Sequence, residues 1–155
     1  WLAESKALDA ATTIKRMIQV HVSAPYQINL GLASCLEQTR DSCADIIHIG
    51  DYVSSRGSGK HIAYAASKAA QDNLTLSFAA RLAPRVKVNS IAPALIMFND
   101  HDSSAYKERA MSRSLMGRIG GWDEFEAAVD YLLSSHYITG RILPLDGGRH
   151  LKLAG

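Results

Sequence analysis

The first forty residues carry apolar side chains at helical spacing. Between positions 8 and 40 these residues recur mostly three or four apart, at Ile14, Ile18, Val22, Pro25, Ile28, Leu32 and Leu36. This spacing places them on one face of a helix that we expect to begin near Leu8. A proline inside a helix removes a hydrogen bond and its ring clashes with the preceding turn, so we expect a kink or a break at Pro25.

Three short apolar runs further along the chain predict strands that are buried on both faces. They cover residues 44–49, 86–91 and 138–145, and each is followed closely by a glycine or a proline. Residues 52–61, which hold three serines and two glycines, are predicted to form a loop.

Helical spacing returns between the predicted strands. We predict helices over residues 63–82, which are rich in alanine, and over residues 104–115. A further helix is predicted over residues 123–134, which begin with acidic side chains that suit the positive end of a helix dipole. Helices that alternate with nearly continuous apolar strands predict an α/β fold with a doubly wound parallel sheet.

Three strands are fewer than such a sheet ordinarily has, which is about five or six. The 155 residues contain no Gly-rich strand-to-helix turn of the dinucleotide-binding kind, and the first residue is Trp1. We therefore expect residues 1–155 to form a single incomplete domain, the C-terminal portion of a larger one whose N-terminal dinucleotide-binding strands are absent.

Composition narrows the classes of partner. The chain is 47% hydrophobic, and its 17 basic and 15 acidic residues give a net charge of +2 without basic blocks, so neither nucleic acid nor a membrane is an expected partner. Cys35 and Cys43 lack metal-ligand spacing, as do the histidines, so no metal site is predicted. Since no signal peptide or membrane span is recognisable, we expect a cytoplasmic protein.

The motif Tyr64-Ala-Ala-Ser-Lys68 places a phenol and an ammonium on one face of a helix. An ammonium near a phenol favours the phenolate, so the motif predicts a lowered pKa for Tyr64 and a role as a general acid or base. Taken alone, this spacing is more often an exposed pair on a helix than a catalytic one.

Further motifs accompany this pair in a fixed order. Asp51 follows the first predicted strand, Asn89-Ser-Ile-Ala-Pro93 ends the second, and Asp146-Gly147-Gly148 ends the third. Together with Tyr64 and Lys68, this ordered set resembles the C-terminal half of the short-chain dehydrogenase/reductase family. The resemblance implies a Rossmann-like fold and a nicotinamide cofactor.

The resemblance also implies roles for individual residues. Tyr64 would be the proton donor, and Lys68 would assist it and hold the nicotinamide ribose. The cofactor would also contact a short segment after the second strand, formed by Pro93, Ala94, Leu95 and Ile96. Ala94 stands where the family usually has glycine, which limits backbone freedom there only modestly.

Asp51 is the main departure from the family pattern, which usually has a serine thirteen residues before the tyrosine. In this respect the chain resembles the pteridine reductase branch, and residues 42–153 are similar to the bacterial dihydromonapterin reductases of that branch. The resemblance implies NADPH-dependent reduction of a dihydropterin, such as dihydromonapterin or dihydrofolate, to the tetrahydropterin. Asp51 would bind the pterin and relay a proton to a ring nitrogen; alternatively it only caps the following loop.

His21 falls where the family has a helix asparagine that holds a water of the proton relay. A histidine could hold that water through a ring nitrogen, and the alternative is a histidine packed in the core. Residues 97–121 would form the substrate loop, with Met97 and Phe98 stacking on the pterin ring.

Two other interpretations remain open. The chain could belong to a reductase of another carbonyl substrate, such as a 3-oxoacyl thioester, or it could be a non-catalytic oligomerising module. Helices that correspond to residues 8–40 and 63–83 build dimers and tetramers in this family, so a homo-oligomer is expected. The 155-residue chain alone is expected to be inactive.

Overall fold

A computed structural model describes residues 9–40 and 43–152. Its helices and strands follow in the order α1 (Ala10–Ile18), α2 (Ala24–Glu37), β1 (Ala44–Ile49), α3 (Ile62–Leu82), β2 (Val86–Pro93), α4 (Ser104–Met111), α5 (Gly121–Ser134) and β3 (Ile142–Leu145). Two 3₁₀ turns cover Tyr52–Ser55 and Arg149–Leu151. Trp1 and the predicted helix start at Leu8 lie outside the described residues.

A π turn at Gln19–Ser23 joins α1 to α2, so helical backbone continues from Ala10 to Glu37. In this turn the Ala24 N–H donates to the carbonyl of Gln19 instead of bonding four residues back. Pro25 lies in the first turn of α2. Because proline has no N–H to offer the preceding turn, the wider π turn accommodates it without a break. The disruption expected at Pro25 is therefore a π turn.

The three strands form one parallel sheet in the order β1, β2, β3, which confirms the predicted α/β fold with a parallel sheet. β2 is the central strand and carries side chains to both faces. Val86 and Val88 pack with Phe78, Ala79 and Leu82 of α3. On the opposite face, Ile91 packs with Ala128 and Leu132 of α5. Helices thus cover both faces, as a parallel sheet requires.

The third strand is shorter than predicted, because residues 138–141 form a loop before β3. Asn89 of β2 holds this loop: its Nδ2 donates to the carbonyl of Ile138 at 2.9 Å, and its Oδ1 accepts from the Arg141 N–H at 3.0 Å. Gly140 has a φ of +67°, which an extended strand does not allow. The hydrogen bonds of Asn89 and the left-handed backbone of Gly140 thus prevent the extended conformation that the apolar pattern predicts for residues 138–141.

The fourth helix also ends earlier than predicted, at Met111 rather than near residue 115. The segment after it turns against the end of β3, where the Met116 N–H donates to the carbonyl of Gly147 at 3.1 Å. Its backbone therefore bonds outside the helix.

Within residues 9–40 and 43–152, no helix is both long and apolar enough to cross a bilayer.

A buried ion pair joins β1 to β2, and its lysine also bonds to α5. Lys87 and Asp45 are register partners on β2 and β1, with 3.1 Å between Nζ and Oδ1. The ammonium also donates to the carbonyls of Leu132, at 2.8 Å, and Ser135. Lys87 therefore supplies positive charge where the C-terminus of α5 carries unsatisfied carbonyls.

Candidate active site

Asp51 follows the carboxyl end of β1 and bonds to two different elements. Its Oδ1 accepts from the Val53 N–H at 2.8 Å, and its Oδ2 accepts from the Tyr64 Oη–H at 2.7 Å. The first bond caps the 3₁₀ turn, and the second joins the loop to α3. Asp51 therefore caps the loop and also contacts Tyr64, and its binding of a pterin stays a prediction.

Lys68 lies one turn after Tyr64 on α3 and is only 8% exposed. Its Nζ donates to the carbonyl of Ile49 at 2.7 Å and to Gln71 Oε1 at 3.0 Å. The same nitrogen lies 6.0 Å from the centre of the Tyr64 ring. The structure thus brings Tyr64, Lys68 and Asp51 together, with the lysine held by two neutral oxygens.

The pKa of Tyr64 is raised, opposite to the direction expected from the helix spacing. Burial is the largest cause, and the hydrogen bond to Asp51 and the negative charge of that carboxylate add to it. The expectation of a lowered pKa is wrong for this arrangement, because Asp51 is in direct contact with the phenol while the Lys68 ammonium bonds elsewhere. Tyr64 consequently holds its proton at neutral pH.

His21 lies in the π turn, beside Tyr64. The two rings meet edge to face with their centres 5.4 Å apart, and His21 Nδ1 lies 2.8 Å from Ser67 Oγ. The Ser67 hydroxyl donates its one proton to the carbonyl of Tyr64 at 2.8 Å, so it accepts from His21 Nδ1–H. Burial and the charge of Lys68 lower the pKa of His21. The neutral ring therefore keeps Nε2 as an acceptor.

The segment predicted to border a nicotinamide continues from the end of β2. Pro93 pairs with β3, and the Ala94 N–H donates to the carbonyl of Leu145 at 3.0 Å. The carbonyls of Leu95 and Ile96 accept from the N–H groups of Gly120 and Gly121, each at 3.0 Å. Three backbone bonds thus hold the segment in place at the carboxyl edge of the sheet.

A cleft of about 240 Å³ lies next to this segment, lined among others by Ala94, Leu95, Met116, Asp146 and Arg149. Several lining residues belong to residues 97–121, the segment predicted to be the substrate loop.

The two predicted stacking residues lie in different surroundings. Met97 is 53% exposed. The Phe98 ring meets Tyr106 of α4 edge to face at 6.3 Å, with Lys107 Nζ 5.7 Å from its centre. Both residues remain predicted substrate contacts.

Sequence reasoning missed Ser67 and Gln71, which bond to two of the site residues. Ser67 follows Tyr64 by three positions and Gln71 follows Lys68 by three, so helical spacing could have identified both. His48 is also hydrogen-bonded: it accepts from Asn29 Nδ2 at 2.9 Å, and its Nδ1 lies 2.8 Å from Thr75 Oγ1. It is therefore a buried histidine with both ring nitrogens hydrogen-bonded.

Sequences similar to this chain carry the names of reductases. A family model described as enoyl-(acyl carrier protein) reductase matches residues 6–150. The chain is 53% identical over 152 residues to the dihydromonapterin reductases of Escherichia coli strain K12 and Klebsiella pneumoniae. The match covers 98% of this chain and 63% of each relative. The chain therefore spans less than two thirds of the length of these relatives.

Solved structures show the same architecture. FolM alternative dihydrofolate reductase 1 from Brucella suis, in complex with NADP, superposes with a TM-score of 0.83 at 29% identity, covering 97% of this chain and 60% of that one. The corresponding Brucella canis protein, also complexed with NADP, gives a TM-score of 0.83 at 30% identity, covering 97% of this chain and 59% of that one.

Proposed function

Because the chain belongs to the short-chain dehydrogenase/reductase family, we propose that it carries the proton-transfer site of an NADPH-dependent dihydropterin reductase. The substrate class would be dihydromonapterin, with dihydrofolate as a second member, and the product the tetrahydropterin. The names of the sequence and structural relatives support this choice of substrate and cofactor.

The observation that carries the proposal is the 2.7 Å hydrogen bond from Tyr64 Oη to Asp51 Oδ2. A hydroxyl at position 51 would suit a simple ketone, whereas a carboxylate can accept hydrogen bonds from the amino and ring N–H groups of a pterin. The carboxylate and the proton donor are already in contact, so a pterin ring bound by Asp51 lies within reach of Tyr64.

Tyr64 is the proposed proton donor. Its raised pKa keeps the phenol neutral until the reaction draws its proton toward a pterin ring nitrogen, through a bound water. The phenolate left behind would then lie near the Lys68 ammonium, which favours the charged form. His21, with Nε2 as an acceptor, could hold the relay water.

The residues of this chain fit the nicotinamide end of NADPH. When bound, NADPH supplies the hydride that reduces the pterin carbon. An ammonium has three donors, and Ile49 and Gln71 accept two bonds from Lys68, so the third can serve a ribose hydroxyl. The backbone of residues 93–96, already held in place, would border the nicotinamide.

Weak cofactor binding is proposed for the 155-residue chain by itself. It contains no Gly-rich strand-to-helix turn, and backbone N–H groups of such a turn are what bind the pyrophosphate in dinucleotide-binding folds. We therefore expect the isolated chain to be inactive, although it carries the proposed proton donor.

We propose a homo-oligomer that forms through α3 and through the helical segment from α1 to α2. The proposed location is the cytoplasm. Apolar side chains on these helices stay on the surface of the single chain: Val20, Ile28, Leu32, Ile62 and Leu76 are 45 to 69% exposed. A second copy that pairs the same faces would bury them. Sedimentation of the purified chain tests this, since a monomer at all concentrations would exclude it.

The substrate assignment is tested in a chimera that joins this chain to the part of the Escherichia coli relative that it does not match. NADPH oxidation is followed with dihydromonapterin, dihydrofolate and an acetoacetyl thioester. We expect both dihydropterins to be turned over much faster than the thioester. The reverse order would favour a reductase of another carbonyl substrate, such as a 3-oxoacyl thioester.

A further inference from the structure

Asp72 is a partly buried carboxylate that the proposed mechanism does not use. It follows Lys68 by four positions on α3, so both lie on the same face of the helix. Its Oδ1 is buried and makes no hydrogen bond of good geometry among residues 9–40 and 43–152, although the hydroxyls of Ser54 and Ser90 interact with the carboxylate. The charge of Asp72 is therefore buried on the helix face that carries Lys68.

Gly50 makes the space in which these two groups lie. A Cβ at this position would be 2.8 Å from Ser90 Oγ, 3.2 Å from Asp72 Oδ1 and 3.3 Å from the carbonyl of Ile91. Only a glycine lets the end of β1 approach this closely. The same residue directly precedes Asp51, so the close approach also fixes where the chain turns from β1 toward Asp51.

The ammonium of Lys68 is in a surrounding that disfavours its charge. It is 8% exposed, and its two described hydrogen bonds go to neutral oxygens, those of Ile49 and Gln71. The ion pairs of the described residues do not include Lys68. A buried ammonium keeps its proton only if negative charge nearby offsets the loss of water.

Two carboxylates act on this ammonium, and they differ in how their charge is used. Asp51 accepts hydrogen bonds from the Tyr64 hydroxyl and the Val53 N–H. A bound pterin would donate further hydrogen bonds to the same carboxylate. Asp72 Oδ1 makes no such bond in the described part of the chain. Asp72 is outside the proposed substrate contacts, so its charge would stay available to Lys68 while a pterin binds Asp51.

We propose that Asp72 is a positioning residue, the second counter-charge that keeps Lys68 protonated while Asp51 engages the substrate. The proposal depends on the proposed function only for the catalytic use of Lys68. The charge state of Lys68 is a property of the chain itself and can be measured without turnover.

The electrostatics of the surrounding groups support this assignment. Burial lowers the pKa of Lys68, and the charges of Asp51 and Asp72 raise it. Burial raises the pKa of Asp72, and the hydrogen bond with Ser54 and then the Lys68 charge lower it. The pKa values of the two nearby histidines are both lowered by burial and by Lys68, and that of Tyr64 is raised. Near neutral pH the histidines and the phenol are uncharged, which leaves the two carboxylates to balance the ammonium.

The test is an NMR titration of the 155-residue chain with ¹³C-labelled lysine side chains, in which Lys68→Arg identifies the Lys68 signal. We expect Asp72→Asn to shift the titration of Lys68 to lower pH. Asp130→Asn, which removes an exposed carboxylate on α5, should leave it unchanged, and Asp72→Glu should restore it at least in part. An identical Lys68 titration in wild type and Asp72→Asn would overturn the proposal.

A reciprocal measurement covers the case in which Asp72→Asn does not fold. Because coupling between two sites is mutual, Lys68→Met should shift the carboxyl titration of Asp72 to higher pH. An unchanged Asp72 titration would also overturn the proposal.

Turnover of the chimera separates this proposal from the proposed function. If it is active, Asp72→Asn should move the alkaline limb of its pH profile to lower pH, since Lys68 then loses its charge earlier. An inactive chimera with a shifted Lys68 titration would contradict only the proposed function.

Discussion

The Tyr64 hydroxyl donates a hydrogen bond to the Asp51 carboxylate at 2.7 Å, across thirteen residues of sequence and between a loop and a helix. Burial is the largest cause of the raised pKa of Tyr64, and this contact raises it further, because an ionised tyrosine would face a carboxylate at hydrogen-bond distance. It also links the residue that departs from the common family pattern to the residue that matches it.

Asp51→Asn should lower the pKa of Tyr64, because it removes both the negative charge and the strong acceptor. The pKa should remain above the ordinary value, since burial is the largest cause of the shift. Ultraviolet absorbance of tyrosinate, compared between each protein and its Tyr64→Phe variant, measures this. Tyr137→Phe serves as the control, because that side chain is 98% exposed. A Tyr64 that ionises at the same pH in both backgrounds would contradict the electrostatic account.

The raised pKa of Tyr64 also predicts how stability depends on pH. A group whose pKa is higher in the folded state contributes stability that is fully present below its unfolded pKa, about 10 for tyrosine, and is lost as pH rises through the folded value. The free energy of unfolding should therefore fall above about pH 10 more steeply in wild type than in Tyr64→Phe. Urea titrations at several alkaline pH values give the comparison; parallel curves would show no coupling.

Gly50→Ala should destabilise the fold, because the new methyl group meets Ser90, Asp72 and the backbone carbonyl of Ile91. Overpacking of this kind costs about 1 to 3 kcal/mol. The matched control is Gly31→Ala in α2, where a Cβ meets nothing within 4 Å and a gain of about 0.5 to 1 kcal/mol is expected. Urea unfolding of both variants tests the pair, and equal effects would mean that the close approach at Gly50 is unimportant.

Lys87→Met should be strongly destabilising, because it leaves the Asp45 carboxylate buried without its partner. The side chains of this pair are 6% and 15% exposed, and breaking a buried pair from one side costs about 3 to 5 kcal/mol. Lys60→Met, at an exposed position, should change the free energy of unfolding by less than about 0.5 kcal/mol. Similar losses in the two variants would remove the argument for this ion pair.

The arrangement of the fold could be predicted from local pattern, and the grouping of Asp51 with Tyr64 and Lys68 from the resemblance to the family. Apolar runs ended by glycine or proline identified the strands, and helical spacing put Tyr64 beside Lys68. Parallel strands bring their carboxyl ends to one edge, so residues that follow them gather there.

What could not be predicted depends on contacts between distant segments. The direction of the Tyr64 pKa shift is set by burial and by Asp51. Helical spacing identifies only Lys68 as a charged neighbour of Tyr64. The ammonium is held by Ile49 and Gln71, one of which lies on another element. The shortened third strand likewise results from Asn89, whose side chain bonds to a loop about fifty residues later.

Asp51 is proposed to bind the pterin and Tyr64 to give the proton. Steady-state turnover of the chimera and of its Asp51→Ser and Tyr64→Phe variants measures both roles. Asp51→Ser should reduce kcat/KM for dihydromonapterin far more than for an acetoacetyl thioester. Tyr64→Phe should reduce kcat for dihydromonapterin by about 100-fold or more, the usual contribution of a general acid. Equal losses on both substrates in Asp51→Ser, or wild-type turnover in Tyr64→Phe, would contradict the account.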